Sequence, residues 1–222
     1  MSQPPRAFVL VADIVGSREI PPDVRPAVQA RVEALAAEGI AFRFAGGDEF
    51  EWVLPDAPGS LDRVLWLRAR LAAGDGELPP VLLRCGLGRG EVTVPSERGP
   101  YAQDGPAFHR AREAYEGLRP GEARPRWSHE APFRPAGSST RWTALRDGRR
   151  DPVRDALILH MDGLLERWTD PQWQAVACVL EGLRYDEAGR RLGITAQAVQ
   201  QRLRAADLER YLEGHEALKS TW

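Results

Sequence analysis

Three acidic residues stand where predicted β-strands would lie side by side. Asp48 and Glu49 follow two glycines in "FAGGDEFEWVL", residues 44–54, and the apolar runs on both sides predict a hairpin with the acids at its tip. Asp13 comes near the end of "AFVLVADIV", residues 7–15, which is typical of a strand buried on both faces. A charge there is costly unless something compensates it. Because adjacent strands lie about 4.8 Å apart, carboxylates on both could share one cation.

A set of oxygen ligands favours Mg²⁺ or Mn²⁺, which keeps several waters and is completed by the phosphates of a substrate. Gly46 and Gly47 would let the backbone turn tightly and let phosphate oxygens approach. We therefore predict a metal site at Asp13, Asp48 and Glu49. The alternative is that Asp13 caps a turn and that the two hairpin acids are simply solvated.

The elements that would position these acids occupy the first 130 residues. Strand-like and helix-like periods alternate there in the order β-α-β-β-α-β, a ferredoxin-like arrangement in the α/β (α+β) class. The helical periods cover 24–38, 61–71 and 104–118, the hairpin strands cover 40–45 and 50–54, and a strand pair bent by glycines covers 81–94. A short final strand is predicted near Pro125–Ser128.

Composition narrows the class of protein. The chain has 222 residues, 43% of them hydrophobic, which is enough for a core, and its net charge of −2 argues against indiscriminate nucleic-acid binding. Cys85 and Cys178 lie in apolar surroundings without metal-type spacing, so we expect buried thiols in a reducing compartment. The first apolar run is too short for a membrane span, and Asp13 interrupts it. We expect a soluble, cytoplasmic protein without a membrane partner.

Four segments carry a resemblance to a known family: "ADIVGSR" (12–18), "GGDEF" (46–50), "RCGLGRGEV" (84–92) and "DGPAFHRAREA" (104–114). In this order and spacing they resemble the SatD family of bacterial proteins. That family is similar to class III nucleotidyl cyclases and diguanylate (GGDEF) cyclases, which share a polymerase-like palm domain. Two metal ions in those enzymes bind a nucleoside triphosphate and assist attack of its 3′-hydroxyl on the α-phosphate.

The resemblance implies roles for individual residues. Asp13 and Asp48 would be metal ligands, with Glu49 and the carbonyl of Ile14 as further candidates. The residues that would bind the nucleotide are Ile14, Val15, Gly16 and Ser17, whose backbone N–H groups would wrap phosphates, together with Arg43, Gly46 and Gly47.

The chain also departs from the cyclase pattern. Arg112 stands where cyclases carry an arginine that stabilises transition-state charge, so Asp13, Asp48 and Arg112 are the candidate catalytic residues. Four residues earlier, where cyclases have asparagine, the chain has Phe108, and Arg43 lies near but not on the position of the base-reading lysine. Nucleotide and metal binding are therefore the firmer expectation, and turnover stays open. Arg84, like Arg89 and Arg110, is expected to cover a solvated face.

The segment 168–212, with "YDEAGRRLGIT" inside it, resembles the helix-turn-helix of sigma factors and response-regulator output domains. The candidate DNA-binding residues are Arg190, Arg191, Thr195, Gln197, Gln200, Gln201 and Arg204. Glutamine and arginine suit the base edges of the major groove, and one motif of this size usually works as a dimer on paired half-sites. The partners would be double-stranded DNA and a second copy of the chain. The alternative is a three-helix packing or dimer module with the same apolar pattern.

These signals divide the chain into a palm-like domain (1–130), a linker (131–152) and a helical helix-turn-helix domain (153–222). The main hypothesis is a regulator in which binding of a nucleoside triphosphate or other nucleotide with Mg²⁺ controls DNA binding. The alternative is an active metal-dependent nucleotidyl cyclase or nucleotidyltransferase that makes a cyclic or linear nucleotide. A third hypothesis is that the palm-like domain is a scaffold that dimerises and does no chemistry.

Overall fold

The protein is described by a computed structural model over residues 5–93, 104–118, 142–149 and 151–221. In these ranges it has a five-stranded mixed sheet and eight α-helices, so the predicted mixed α/β class is confirmed. None of the helices in these ranges has both the length and the apolar character needed to cross a membrane.

The sheet has the strand order β2-β3-β1-β4-β5. Its elements and the helices between them are β1 (Arg6–Ile14), α1 (Arg25–Ala36), β2 (Ala41–Gly46), β3 (Glu49–Pro55), α2 (Gly59–Ala72), β4 (Leu83–Glu91), α3 (Pro106–Glu116) and β5 (Thr143–Arg146). β1 is antiparallel to both β3 and β4, whereas β5 is parallel to β4. The β-α-β-β-α-β order over the first six elements is the one predicted.

β1 is central because both of its faces are apolar. Its even-numbered residues from Phe8 to Ile14 join a core with α1 and α2, and its odd-numbered residues Ala7, Val9 and Val11 join a second core with α3. Side chains alternate along a strand, so the sheet has one face towards α1 and α2 and another towards α3. Asp13 continues the odd-numbered series and therefore belongs to the α3 face.

Two details differ from the sequence predictions. The range 81–94 does not form a strand pair, because its described part contains the single strand β4. β5 lies inside the range 131–152 that was assigned to a linker, and it extends the sheet beside β4. The strand predicted near Pro125–Ser128 lies outside the described residues.

The C-terminal helices pack against α2. They are α4 (Pro152–Leu165), α5 (Asp170–Leu180), α6 (Tyr185–Leu192), α7 (Ala196–Ala205) and α8 (Leu208–Ser220). One side of α2, with Leu61, Val64 and Leu67, belongs to the core under the sheet. Its other side, with Leu65 and Ala69, belongs to the core of the C-terminal helices. α2 is thus shared by the two cores, and Cys85 and Cys178 are buried as expected.

Candidate functional site

The sheet register brings the three acids to one end of the sheet. Asp13 of β1 stands directly opposite Glu49 of β3 and, on its other side, directly opposite Arg84 of β4. Asp48 lies in the turn before Glu49, and its carbonyl accepts a hydrogen bond from the N–H of Ile14 at 3.2 Å. Because partners in register share a face, the side chains of Asp13, Glu49 and Arg84 all belong to the α3 side.

Each acid at this end has a partner. Arg84 donates two hydrogen bonds to Asp13, from Nε to Oδ1 at 3.1 Å and from Nη2 to Oδ2 at 2.8 Å. Arg112 of α3 donates to Glu49 Oε1 at 2.6 Å and lies 3.3 Å from Glu51 Oε1. The hydroxyl of Ser17 donates to the carboxylate of Asp48. The acidic end is therefore a network of two arginines and several carboxylates.

The electrostatics of this network depend first on burial. Burial raises the pKa of Asp13; the hydrogen bonds and charge of Arg84 oppose that rise, and the charges of Asp48 and Glu49 add to it. Burial would lower the pKa of Arg112, but its hydrogen bond to Glu49 and the nearby carboxylate charges outweigh this and raise it. The site thus has a negatively charged centre held close to two permanent cations.

Tyr115 of α3 lies beside both arginines. Its ring centroid is 5.8 Å from Cζ of Arg84 and 5.9 Å from Cζ of Arg112, within cation–π distance. Burial, together with the nearby charge of Asp13, raises the pKa of its hydroxyl to about 12, so the ring stays neutral. Neither Tyr115 nor the partnership of Arg84 was predicted from the sequence. The expectation that Arg84, Arg89 and Arg110 cover a solvated face is wrong, since all three are half-buried and their guanidinium groups have partners in Asp13, Asp56 and the carbonyl of Arg89, respectively.

Two glycines of β4 let α3 reach this position. A Cβ added to Gly86 would come closer than 3.0 Å to the backbone of Tyr115 and Ala111, and one added to Gly88 would come equally close to the backbone of Ala107 and Ala111. The helix therefore packs directly on the strand. The glycines serve this close approach, which sets Arg112 and Tyr115 over the acids.

The other predicted nucleotide-binding residues surround the same turn, with one exception. The backbone N–H groups of Ile14 and Val15, however, already donate to the carbonyls of Asp48 and Leu82, so they are not free to wrap phosphates as predicted. Gly16 and Gly47 have φ values of 70° and 59°, a backbone conformation that glycine adopts at little cost. The carbonyl of Gly47 accepts a hydrogen bond from Gln29 Nε2 at 2.5 Å. Arg43 is the exception, because its Nε donates to Glu51 at 2.7 Å, two register pairs beyond the Gly46–Glu49 pair that closes the turn.

The donor atoms suit a hard cation, but the three acids that the sequence predicted as one metal site are not assembled as such a group in the described residues. The candidate ligands are three carboxylates and the backbone carbonyl of Ile14, all of them oxygen donors of the kind that Mg²⁺ and Mn²⁺ prefer. Across the ranges that the structure describes, no three His, Cys, Asp or Glu side chains gather as a metal-binding group. Mg²⁺ usually needs only one or two carboxylates when phosphates complete its shell. Asp13 and Asp48 are the residues that would hold it.

The candidate DNA-binding residues lie on α6, α7 and the short connection between them. Gly193 ends α6 with a φ of 66°, and the hydroxyl of Thr195 caps α7 by accepting from the N–H of Ala198 at 3.1 Å. Of the candidate residues on α7, Gln197, Gln201 and Arg204 are exposed and Gln200 is half-buried.

The two α6 arginines, Arg190 and Arg191, are exposed but already form ion pairs. Arg190 lies 3.5 Å from Asp186, and Arg191 pairs with Glu181 at the end of α5. α7 is therefore the better-placed element to reach a nucleic acid.

No protein-family model matches the chain, and no curated protein matches it significantly.

Proposed function

We propose that the chain is a nucleotide- and Mg²⁺-binding regulator of the SatD type, in which a palm-like sheet domain controls DNA binding by a helix-turn-helix formed by α5, α6 and α7. The observation that carries the proposal is the register pair Asp13–Glu49. Like charges directly opposite on neighbouring strands destabilise a sheet. This pair, beside Asp48 and with Arg84 and Arg112 as its partners, brings carboxylates that suit a cation and arginines that suit phosphates to one end of the sheet.

The chain's own residues would divide the binding as follows. Asp13 and Asp48 would hold the cation, with Glu49 beside them, and the cation would neutralise part of the phosphate charge. Arg112 would bind phosphate oxygens with its planar fork. Gly46 and Gly47 leave the turn open to an approaching phosphate, because a Cβ added to either would meet nothing within 4 Å.

The DNA-binding half of the proposal is supported by the side chains of α7. Glutamine and arginine can each make two parallel hydrogen bonds to a purine edge, and Gln197, Gln201 and Arg204 are exposed together on this helix. α2 would couple the halves, because it packs against the sheet on one side and against the C-terminal helices on the other. We expect a homodimer on paired half-sites.

The first experiment measures thermal unfolding with each of the four ribonucleoside triphosphates, with and without Mg²⁺. We expect stabilisation only when both are present, by about 2.7 kcal/mol at one hundred times the dissociation constant. Asp13→Asn and Asp48→Asn should abolish it. Asp56→Asn is the matched control, since Asp56 follows the opposite end of β3 and pairs with Arg6 at 2.9 Å and Arg89 at 2.5 Å. An unchanged shift in Asp13→Asn, or none in the parent protein, would refute nucleotide binding at this site.

The second experiment measures retention of the DNA upstream of the protein's own gene at several salt concentrations. Arg204→Ala and Gln201→Ala should weaken binding, with a loss of about 1–3 kcal/mol wherever the residue reads a base. Arg210→Ala on α8 is the control, because Arg210 is also exposed and forms an ion pair with Asp207 at 2.7 Å. Equal effects of the three substitutions would contradict recognition through α7.

Turnover is the second candidate function, and the position of Arg112 favours it. This arginine is on the helix that packs against the glycine-containing strand, and it contacts Glu49 at the acidic end. Mass spectrometry of the same triphosphate incubations would detect a cyclic or linear nucleotide product. A product that disappears in Arg112→Gln would support an enzyme, whereas binding without product would leave the regulator.

A further inference from the structure

We propose that Arg84 and Arg112 are built-in counter-ions that exchange their carboxylates for ligand phosphates, so that the divalent cation and the phosphates bind strongly only together. This inference rests on the proposed nucleotide-binding function and deepens it by giving the site a means of rejecting either ligand alone. It assigns to Arg84 a role that neither the sequence pattern nor the family resemblance gives it.

The carboxylates are already paired in this structure. Both oxygens of Asp13 accept from the fork of Arg84, and Glu49 accepts from Arg112. A divalent cation arriving alone must displace a guanidinium from Asp13. It would then leave that guanidinium beside a second positive charge, and the two repel each other strongly in a partly buried site. Binding of the bare cation is therefore opposed by Arg84.

Phosphates arriving alone meet the reverse problem. The guanidinium groups would attract them, but the carboxylates of Asp13 and Glu49 would then lose their counter-ions and, with Asp48 beside them, face an anion. When cation and phosphates arrive together, each charge finds a new partner: the carboxylates bind the cation and the arginines bind the phosphates. Neither Asp13 and Glu49 nor the two arginines are then left without a partner of opposite charge.

The surroundings of the arginines permit such an exchange. The side chains of Arg84 and Arg112 are 23% and 36% exposed, so each can swing towards solvent without becoming a buried, unpaired charge. Both guanidinium groups lie over the ring of Tyr115, and this cation–π contact is the same whichever anion the arginines bind. Tyr115 can therefore hold the two arginines near the site while their partners change.

The inference requires positive coupling between cation and phosphates, and such coupling is reciprocal. Removing Arg84 removes the charge that competes with the bare cation. The substitution Arg84→Gln should therefore tighten binding of the cation alone and reduce the help that phosphates give. An arginine that served only the fold, or only as a phosphate ligand, would not produce the first of these effects.

The experiment titrates Mn²⁺ into the full chain and follows free Mn²⁺ by electron paramagnetic resonance, first alone and then with saturating ATP or GTP. We expect weak binding of Mn²⁺ alone to the parent protein and binding at least about tenfold tighter with the preferred triphosphate. Arg84→Gln should bind Mn²⁺ alone at least about tenfold tighter than the parent does. Arg84→Lys keeps the charge but loses the fork, and it should change binding in the same direction by less.

Arg89→Gln is the matched control. Arg89 is on the same strand and also pairs with an aspartate, Asp56, but this pair lies at the other end of the sheet. The substitution Arg89→Gln should therefore leave binding of Mn²⁺ unchanged. If Arg84→Gln does not fold, as judged by circular dichroism, Arg84→Lys decides the question alone.

The outcomes separate the two proposals. If no variant binds Mn²⁺ or triphosphate, the proposed function is wrong and the exchange falls with it. If the parent protein binds Mn²⁺ with triphosphate but Arg84→Gln and Arg84→Lys leave binding of Mn²⁺ alone unchanged or weaker, the exchange is overturned while nucleotide binding stands.

Discussion

Two charged clusters of this protein have similar composition and different construction. The acidic end of the sheet pairs Asp13 with Arg84 and Glu49 with Arg112. The second cluster, which we call the α2–α4 junction, consists of Arg68, Thr143 and Asp162. There Asp162 Oδ2 accepts from the backbone N–H groups of Trp142 and Thr143, both at 2.8 Å, and Oδ1 accepts from the Thr143 hydroxyl at 2.7 Å.

The junction is closed to solvent, whereas the acidic end is not. Asp162 is 2% exposed; Arg68 Nη1 donates to the Thr143 hydroxyl at 2.7 Å and lies 3.9 Å from Asp162 Oδ1. Burial raises the pKa of Asp162 to about 6, although Arg68 and the hydrogen bonds oppose the rise. Fixed backbone donors hold this carboxylate, so it cannot change partners. Each acid at the sheet end is held by flexible side chains that reach water, which suits exchange with a ligand.

The largest expected loss of stability comes from breaking the Arg68–Asp162 pair of the α2–α4 junction. Arg68→Met leaves the carboxylate of Asp162 buried without its counter-charge, and Asp162→Asn does the converse. Breaking a buried pair in this way costs about 3–5 kcal/mol of unfolding free energy. Equilibrium unfolding in urea at pH 7 measures it. A loss below about 1 kcal/mol in both variants would end the contrast with the acidic end.

The double variant, Arg68→Met with Asp162→Asn, sharpens this test. It removes both charges, while the amide oxygen of asparagine can still accept from the backbone of residues 142 and 143. Because partners in one network are not additive, the double variant should cost clearly less than the sum of the two single losses. Additive losses would mean that Arg68 and Asp162 act independently.

The next effect concerns the helix that covers the acidic end. Gly88→Ala puts a methyl group against the backbone of Ala107 and Ala111, which cannot move as a flexible side chain would. We expect a loss of about 1–3 kcal/mol, together with weaker triphosphate binding because α3 carries Arg112. Gly163→Ala is the control: an added Cβ there meets nothing within 4 Å inside a helix, so a gain of about 0.5–1 kcal/mol is expected. Equal stability of the two variants would show that α3 does not need the close approach.

Local patterns explain how much of the fold was predictable. The apolar run of β1, the hairpin around Gly46 and Gly47, and the helical periods each determine an element from its own residues. β5 was missed because only four residues, "TALR", define it, in a range expected to be a linker. Its identity comes from pairing with β4, which no local pattern encodes.

Only part of the candidate site could be predicted from the sequence. The convergence of Asp13 with the hairpin acids followed from the order of the strands. The pairing of Asp13 with Arg84 spans 71 positions and depends on the register between β1 and β4. Tyr115 joins the site only because α3 packs closely on glycines. A run of alternating glycines in a strand is the signal that could have indicated a helix in direct contact.

A smaller loss of stability is expected from neutralising Asp13. Asp13→Asn removes a charge that burial disfavours, and it leaves Arg84 able to turn towards water. We expect the unfolding free energy at pH 7 to change by less than about 1 kcal/mol, far less than for Asp162→Asn. The same urea titration gives the value. A loss as large as that of Asp162→Asn would make the acidic end a structural cluster like the junction.

The smallest expected change in stability comes from the contact between α2 and α8. There His215 and Lys219 of α8 contact Asp62 of α2 at 2.8 and 2.9 Å. The pKa of His215 is lowered from its usual value, mainly by burial and further by the charge of Lys219. Asp62 and Glu216 oppose this lowering without cancelling it. Below the unfolded-state value of 6.5, the unfolded chain therefore binds more protons than the folded chain, and stability falls as pH falls through this range.

His215→Gln should lose less stability than the parent protein between pH 7.5 and pH 5.5, as measured by urea unfolding at both values. Identical pH dependence in His215→Gln and the parent protein would exclude His215 as a titrating contact. Because Asp62 is half-exposed, losing its contact with His215 should cost far less unfolding free energy than losing the Arg68–Asp162 pair of the α2–α4 junction.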